Sequence, residues 1–434
     1  MAKTYRPYLP EQDLLLPPSL RDWLPESHLA YFVSDVIDQL DLSAIESYYA
    51  QEERGYPPYH PRMMTKILVY GYCVGVFSSR RLQKRLREDV AFRVLAAGNQ
   101  PDFRTLSDFR KLHLAALEGL FQQVLRMALE LGAMKLGRVA IDGSKLKANA
   151  SKHKAMSYQR MKEQEQRLRE EVRRLLQQAE AIDAEEDAKY GVSQVGDELP
   201  AELQRREERL RRIREAKRAL EERARAEAEA EGKEKEEAAK VKPEAKAQYS
   251  FSDPESRILK GPDGFLQGYN AQIAVEPVLQ LIVGQAVTQE ANDKRQLLPM
   301  LHTMQAQAGQ KPTAVLADNG YLSEKSLEGT AKMRIEAYVA VSKQKHNQIV
   351  PPSPRGPIPE SATLLERMRR KLQTKMGRKI YARRKAIVEP VFGQIKQARG
   401  FRQFLLRGVD KVRGEWALVC MTHNILKLHR ACLS

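Results

Sequence analysis

The chain has 434 residues, with 73 Lys and Arg against 56 Asp and Glu, so its formal net charge is +17. This length allows two or three domains with a sizeable core. A positive excess of this size attracts polyanions: nucleic acid first, an anionic membrane surface second, with a merely soluble basic protein as the alternative. Three cysteines exclude a disulfide framework, and no stretch has signal-peptide or membrane-spanning character, so we expect a cytoplasmic protein.

The charge is unevenly distributed along the chain. Residues 159–247 hold 22 basic and 24 acidic side chains and are nearly neutral, whereas residues 363–430 hold 18 basic and 4 acidic side chains. The positive excess is therefore concentrated toward the C-terminus, where we expect contact with a polyanion.

The N-terminal third is predicted to be helical. Residues 1–18 are Pro-rich and are expected to be extended, and residues 19–135 have apolar positions at helical spacing. A basic run that includes Arg80 and Arg81 favours a compact helical DNA-binding domain. The alternative is a plain helical bundle with a solvated basic face.

The periodicity then changes to that of a sheet. Residues 137–143 read as a short buried strand that ends in Asp142. Residues 159–247 consist almost entirely of Glu, Lys, Arg, Gln, Ala and Leu, which predicts long helices, such as a coiled-coil hairpin, broken near residues 190–200.

Four further strands and three helical regions follow this insertion. The strands are expected at residues 269–275, 281–287, 313–318 and 337–341, and the helical regions at 294–308, 324–332 and 362–430. Two antiparallel strands after the first strand, followed by α/β units, match a ribonuclease H-like fold with a mixed five-stranded sheet. The catalytic domain is thus predicted to comprise residues 136–158 and 248–434.

Two of the predicted strands end in an aspartate, Asp142 and Asp318, each with a glycine within the next two residues. Reactive groups collect at the carboxyl ends of strands in open α/β sheets. Two neighbouring carboxylates repel each other, and a divalent cation removes that penalty. A single such aspartate is more commonly a turn-former beside its glycine, but two at equivalent strand ends favour a metal site.

A third acid is expected on the C-terminal helical region. Val388, Val391 and Ile395 repeat at helical spacing, and Glu389 lies at the edge of this apolar stripe among many cations. Because a residue before proline avoids the helical conformation, Glu389, which precedes Pro390, is expected at a kink or a helix start. The alternative is ordinary ion pairing on a surface helix.

At these residues the sequence resembles the DDE transposases of bacterial insertion sequences, most of all the group numbered 1182, related to groups 4 and 5. The resemblance covers nearly the whole chain. The segment 56–87 is similar to the N-terminal helical domain of the family. The three catalytic motifs are similar to residues 141–145, 317–321 and 388–396.

The third motif departs from the pattern of the related groups in one respect. Glu389 and Lys396 have the expected spacing, and so do Tyr381 and Arg384, but one extra residue separates Arg384 from Glu389. Either the helix has a different register or Lys385 takes the role of the arginine.

The resemblance implies a two-metal DNA transposase that nicks transposon ends and joins the 3′-hydroxyl to target DNA. Asp142, Asp318 and Glu389 would bind two Mg²⁺ ions, for which Mn²⁺ can substitute. Phosphate contacts are expected from a set of basic and aromatic residues: Lys396, Lys385, Arg384, Tyr381, Arg80 and Arg81. The partners would be double-stranded DNA and a second copy of the chain at the bacterial nucleoid. A catalytically inactive, transposase-derived DNA-binding protein is the alternative.

Two other polar residues near these motifs receive local interpretations. Asp293, in Asn292-Asp293-Lys294, is expected to be a helix N-cap. Asn319 and Tyr321 are expected to contact DNA, because they adjoin Asp318.

Overall fold

The computed structural model describes residues 19–49, 57–150, 155–190, 201–230, 232–261, 264–342 and 353–433. The extended segment expected at residues 1–18 lies outside these ranges, as does the expected break after Tyr190, at residues 191–200.

Seven helices precede the first strand in the described residues, as the apolar spacing predicts. After a 3-10 turn at Leu20–Trp23 they are α1 (Leu29–Gln39), α2 (Ser43–Tyr49), α3 (Pro61–Cys73), α4 (Ser79–Glu88), α5 (Val90–Leu95), α6 (Phe103–Leu112) and α7 (Leu114–Glu130). Several of these helices have a side-chain N-cap. At α6, for example, Asp102 accepts hydrogen bonds from Arg104 N and Thr105 N.

Strands and helices follow in the rest of the described chain, and they alternate only after the antiparallel strands, as expected. The strands are β1 (Arg138–Lys147), β2 (Ala155–Ser157), β3 (Gln248–Ser250), β4 (Arg257–Gly261), β5 (Gly264–Val275), β6 (Ile282–Thr288), β7 (Ala314–Ala317) and β8 (Glu336–Val339). The helices are α8 (Tyr158–Tyr190), α9 (Ala201–Ala230), α10 (Lys235–Lys240), α11 (Leu297–Ala308), α12 (Glu324–Lys332), α13 (Leu364–Gln373), α14 (Lys375–Gly393) and α15 (Val409–Leu433).

The main sheet is mixed. Its order is β4-β5-β1-β7-β8, with β6 also paired to β5; β1 runs antiparallel to β5 and parallel to β7, and β7 runs parallel to β8. The prediction of five strands is wrong by one. The sixth strand, β4, is a short strand that pairs only with the first residues of β5, from Gly264 to Gly268.

Helix α15 lies at the centre of the molecule. It packs against α3 and α7 and also against β6, so the N-terminal helices and the sheet share one hydrophobic core. Two of its side chains hydrogen-bond to the backbone of the sheet. Asn424 exchanges two 2.8 Å hydrogen bonds with the backbone of Ile282, and Trp416 Nε1 donates to Gln272 O at 3.2 Å. Among the helices of the described ranges, none combines the length and apolar character that crossing a bilayer requires.

The insertion forms an antiparallel helical hairpin, as its composition predicts. Helices α8 and α9 enclose a small core of their own, and β2 and β3 form a two-stranded sheet at its base. The antiparallel register is visible in the contacts of Tyr158 with Glu221 and of Glu171 with Arg206. The core of the hairpin consists of Tyr158, Met161, Leu168, Leu210, Ile213, Ala216 and Leu220.

Candidate active site

Asp142 and Asp318 occupy equivalent positions beyond the paired parts of two parallel neighbours. The last parallel pair of β1 and β7 joins Ala140 to Leu316, and each aspartate follows its strand's member of that pair by two residues. Because side chains alternate along a strand, Asp142 lies on the same face of β1 as Ala140, two residues earlier. Asp318 follows Leu316 by two residues and is close enough for its charge to raise the pKa of Asp142.

Asp142 is not at the end of its strand, contrary to the prediction. Strand β1 continues to Lys147 through antiparallel pairing with β5. Gly143 is therefore not a turn residue. A Cβ atom on Gly143 would lie 2.2 Å from the amide nitrogen of Gln272, its cross-strand partner, so only glycine leaves room for that side chain.

Asp142 is a largely buried carboxyl group. Burial raises its pKa to about 6, Arg384 opposes that rise, and the nearby charge of Asp318 adds to it. Its oxygens accept hydrogen bonds from Gly143 N at 2.9 Å and from Arg384 Nη1 at 3.3 Å. Because burial disfavours the ionised form of Asp142, a further positive charge nearby is expected to stabilise that form.

Asp318 begins a short turn at the end of β7. It is the N-cap of the 3-10 turn Asn319–Tyr321, and its Oδ1 accepts a hydrogen bond from Gly320 N at 2.8 Å. Asn319 Nδ2 donates to Ala340 O at 3.2 Å and so ties this turn to the end of β8. The position of Asp318 is therefore determined by the turn rather than by a strand.

Helix α14 supplies the cation and the phenol that face this acid pair. Arg384 is buried and forms the ion pair with Asp142. Burial opposes the charge of Arg384, but Asp142, followed by Tyr381 and Asp318, raises its pKa. Tyr381 is half-buried; burial raises its pKa, and it lies close enough to Arg384, Asp318 and Asp142 to interact with all three charges.

A second cation reaches the site from the turn after α14. Residues Gln394–Ala398 form a π-helical turn, a type that is frequent at functional sites. Within it, Lys396 Nζ donates a hydrogen bond to Ser144 Oγ and lies 5.7 Å from the ring centre of Phe392. Burial lowers the pKa of Lys396, and Asp142 partly restores it. Arg384 and Lys396 therefore flank Asp142 with two positive charges.

Glu389 lies on the same helix but is exposed, and among the described residues it has no hydrogen-bond or ion-pair partner. A helix turns about 100° per residue, so Glu389, five residues after Arg384, points about 140° away from it. Val388, four residues after Arg384, is fully buried instead. The extra residue in the third motif thus turns Glu389 toward solvent.

The expectation of a helix start at Glu389 is wrong, because α14 begins at Lys375 and runs through Pro390 to Gly393. Proline has no N–H group, so it leaves the carbonyl of Ala386, four residues earlier, without its helical donor. Gln280 Nε2, from the turn between β5 and β6, donates to this oxygen at 3.0 Å. A distant side chain therefore replaces the missing hydrogen bond.

The remaining predicted phosphate contacts lie on exposed surfaces. Lys385 is exposed on α14, and it is Arg384 rather than Lys385 that contacts Asp142. Arg80 and Arg81 are exposed on α4, far from both aspartates in the sequence. The Arg80 guanidinium lies 4.3 Å from the ring centre of Phe103.

Two local interpretations are corrected by the structure. Asp293 is not an N-cap, because the N-cap position of α11 is Gln296. The carboxylate of Asp293 instead forms an ion pair with Lys145, with 3.2 Å between Oδ1 and Nζ. Tyr321 is fully buried and donates a hydrogen bond to Gln272, so it does not lie on a DNA-facing surface. Both errors have one cause. Lys145, the partner of Asp293, and Gln272, the partner of Tyr321, lie far away in the sequence, so no local pattern predicts these contacts.

Two family models match parts of the chain. A transposase domain (DUF772) matches residues 18–112, which include α1 to α6, and a transposase DDE domain matches residues 357–429, which include α13, α14 and most of α15. No match was found among curated proteins or among solved structures. The two matches, at opposite ends of the chain, support a DDE transposase family and suggest an enzyme that cleaves and joins DNA.

Proposed function

We propose that this protein is an insertion-sequence transposase of the group numbered 1182, which nicks transposon ends and joins the 3′-hydroxyl to target DNA at the Asp142–Asp318 pair. The observation that carries this proposal is the equivalent placement of the two acids beyond the last parallel pair of β1 and β7. The sheet order and the alternation after β6 agree with a ribonuclease H-like catalytic fold.

Divalent metal ions fit the chemistry of this donor set. Burial and the neighbouring Asp318 disfavour the charged form of Asp142, and a divalent cation bound there would favour that form. In the described residues, no group of three or more His, Cys, Asp or Glu side chains is arranged to hold a metal ion. We assign Asp142 and Asp318 as the principal ligands and Glu389, whose carboxylate is free to move in solvent, as the third. When bound, two Mg²⁺ or Mn²⁺ ions would supply Lewis acidity at the scissile phosphate.

The neighbouring side chains provide what the reacting phosphate needs from the protein. Arg384 and Lys396 carry positive charge next to Asp142 and present N–H donors to phosphate oxygens. Tyr381 adds a half-buried hydroxyl at the same place. These three residues would bind and orient the phosphate while the carboxylates hold the metal.

The exposed cations of α13 and α14 would hold the DNA backbone outside the site. Lys385, Arg383 and Lys379 are among the exposed basic side chains of α14, and Arg80 and Arg81 are exposed basic side chains of α4. Each phosphate contact releases a counterion, so binding is expected to weaken steeply with salt. Two transposon ends must be held together, which favours a homodimer assembled on DNA.

The test is cleavage of a DNA fragment that carries the sequences flanking this reading frame, in the presence of Mg²⁺ or Mn²⁺. Asp142→Asn and Asp318→Asn are expected to lower the rate by at least about 1,000-fold, because each removes a ligand charge. Glu389→Gln is expected to do the same, because Glu389 is assigned as the third ligand. Asp410→Asn is the matched control, since its carboxylate is 90% exposed in a surface ion pair.

Two results would overturn the proposal. Cleavage by Asp142→Asn or Asp318→Asn at the rate of the parent would remove the acid pair from catalysis. Tight, salt-sensitive binding without cleavage in either metal would instead identify a transposase-derived DNA-binding protein.

A further inference from the structure

Next to the acid pair lies a polar network centred on Asp293, whose side chain is 20% exposed. Lys145 alternates with Ser144 and therefore points to the opposite face of the strand. Asp293 Oδ1 accepts hydrogen bonds from Lys145 Nζ at 3.2 Å, Asn270 Nδ2 at 2.6 Å and Gln272 Nε2 at 2.7 Å, and its Oδ2 lies 3.3 Å from the same Lys145. Asn270 and Gln272 are fully buried.

This network fixes the orientation of the Gln272 amide. A carboxylate can only accept hydrogen bonds, so Asp293 requires the NH₂ end of Gln272 to face it. Gln272 Nε2 also donates to Asn270 Oδ1 at 3.0 Å. The carbonyl end of Gln272 must then point the other way, where its Oε1 accepts the hydrogen bond of the Tyr321 hydroxyl.

Tyr321 connects the network to Asp318. It is the last residue of the 3-10 turn that Asp318 caps, and its side chain is fully buried. Burial, followed by the charges of Asp293, Asp142 and Asp318, raises the pKa of Tyr321 well above its usual range, so its hydroxyl keeps the proton that it donates to Gln272. An unbroken chain of hydrogen bonds thus runs from Asp293 through Gln272 to the turn of Asp318.

We propose that Asp293 is a positioning residue that holds Asp318 in place for metal binding, through Gln272 and Tyr321. The proposal rests on the proposed function, because it assigns the metal to Asp142 and Asp318. Asp293 itself is not assigned as a ligand, since both of its oxygens are engaged by Lys145 and the two amides. Partners that orient a metal ligand typically contribute 10- to 100-fold to metal affinity.

The test is a Mn²⁺ titration of the full chain, followed calorimetrically, together with DNA-binding measurements. Asp293→Asn frees the Gln272 amide to turn over and is expected to weaken Mn²⁺ binding by about tenfold. Tyr321→Phe removes the same chain of hydrogen bonds at its other end and should have a similar effect. DNA affinity without metal should stay that of the parent, which a general loss of structure would not allow.

A double-mutant cycle separates positioning from mere stability. If both residues act through one chain, Asp293→Asn combined with Tyr321→Phe should lose no more Mn²⁺ affinity than either change alone. Because Asp293→Asn leaves Lys145 without its partner, the charge-balanced pair Lys145→Met with Asp293→Asn serves as a second variant. Asn292→Ala, in the same loop but exposed, is the matched control and should bind Mn²⁺ like the parent.

The outcomes are distinguishable from a failure of the proposed function. If Asp142→Asn binds Mn²⁺ as well as the parent does, the metal assignment itself fails. If Asp142→Asn loses binding while Asp293→Asn and Tyr321→Phe keep parental affinity, only the positioning role is refuted. A complete loss in Asp293→Asn, equal to that in Asp142→Asn, would make Asp293 a ligand and would also refute the proposal.

Discussion

The sheet with α15 and the α8–α9 hairpin use charged and polar residues in opposite ways. In the sheet region, many polar side chains are buried and have specific partners, as Asn424 has in the backbone of Ile282. In the hairpin, most charged side chains are exposed, and several of them pair with a neighbour one turn away, as Glu208 does with Arg212. The first arrangement determines one structure, whereas the second mainly keeps a long helix in water.

The difference indicates where specificity resides in this chain. A buried polar group without its partner costs free energy, so the sheet region tolerates few alternative arrangements. Exposed ion pairs contribute little and can be exchanged freely. The chemistry of the candidate site lies in the first kind of region, and four predictions test the contrast, from the largest effect to the smallest.

The largest effect is expected from the core of the sheet region. Trp416 of α15 is fully buried, packs against Phe401 and Phe404, and donates to Gln272 O. Trp416→Ala is expected to lower the free energy of unfolding by about 3–5 kcal/mol, measured by urea denaturation. Trp23→Ala is the control, because Trp23 is 50% exposed; equal losses in the two variants would contradict the contrast.

A smaller and more local effect is expected in the hairpin. Ile213 is buried in the small core between α8 and α9. Ile213→Ala should cost about 2–3 kcal/mol and should speed amide hydrogen exchange in α8 and α9 while β1 and β5 keep their protection. Leu176→Ala, at an exposed position of α8, should change neither. Loss of protection in β1 would mean that the two regions unfold together.

Acid should destabilise the sheet region through His423 of α15. Burial, with Arg399 next, lowers the pKa of His423 to about 3. The folded protein therefore leaves His423 neutral at pH values where the unfolded chain binds a proton, so stability falls as pH drops below about 6.5. Between pH 6.5 and 5 the loss should be about 2 kcal/mol.

The measurement is the free energy of unfolding at these two pH values, compared between the parent and His423→Gln, which should lose less stability on acidification. His302→Gln, at an exposed position of α11, should keep the parental dependence. An unchanged pH dependence in His423→Gln would show that other groups cause the acid sensitivity.

The smallest effect is expected from the hairpin surface. Glu208 and Arg212 form an exposed pair one helical turn apart, with 50% and 64% of their side chains accessible. Glu208→Gln should change the free energy of unfolding by no more than about 0.5 kcal/mol, and added salt should remove even that difference. A loss above about 1 kcal/mol would mean that the hairpin depends on its surface charges.

Much of the fold could be predicted because it rests on local periodicity. The strands around Val139, Val315 and Val339 are continuous apolar runs and were located within a few residues. The regular apolar spacing of residues 19–135 predicted a helical region, but not the bounds of each helix. Strand β4 was missed because its pairing comes from the start of β5. The continuation of β1 beyond Asp142 was missed for the same reason.

The candidate site divides along the same line. Asp142 and Asp318 follow apolar runs, so the sequence alone identifies them, although their catalytic role stays a prediction. Asp293 was missed because Lys145, its ion-pair partner, lies 148 positions away. The orientation of Glu389 depends on the rotation of α14 about its axis, which Arg384 fixes through a contact 242 positions distant. Neither the contact between Asp293 and Lys145 nor the rotation of α14 can be predicted from the spacing of the motifs.

The replaced hydrogen bond at Pro390 has a mechanical consequence for the candidate site. The ion pair between Arg384 and Asp142 holds α14 against the sheet. Two residues later, the carbonyl of Ala386 lacks its helical donor and accepts a hydrogen bond from Gln280 instead. The helix then ends in the π-helical turn that contains Lys396. Val388 and Val391, on either side of Glu389, are fully buried, so the helix cannot rotate here without repacking its inner face. A movement of the Glu389 carboxylate toward Asp142 would therefore require α14 to shift against the sheet.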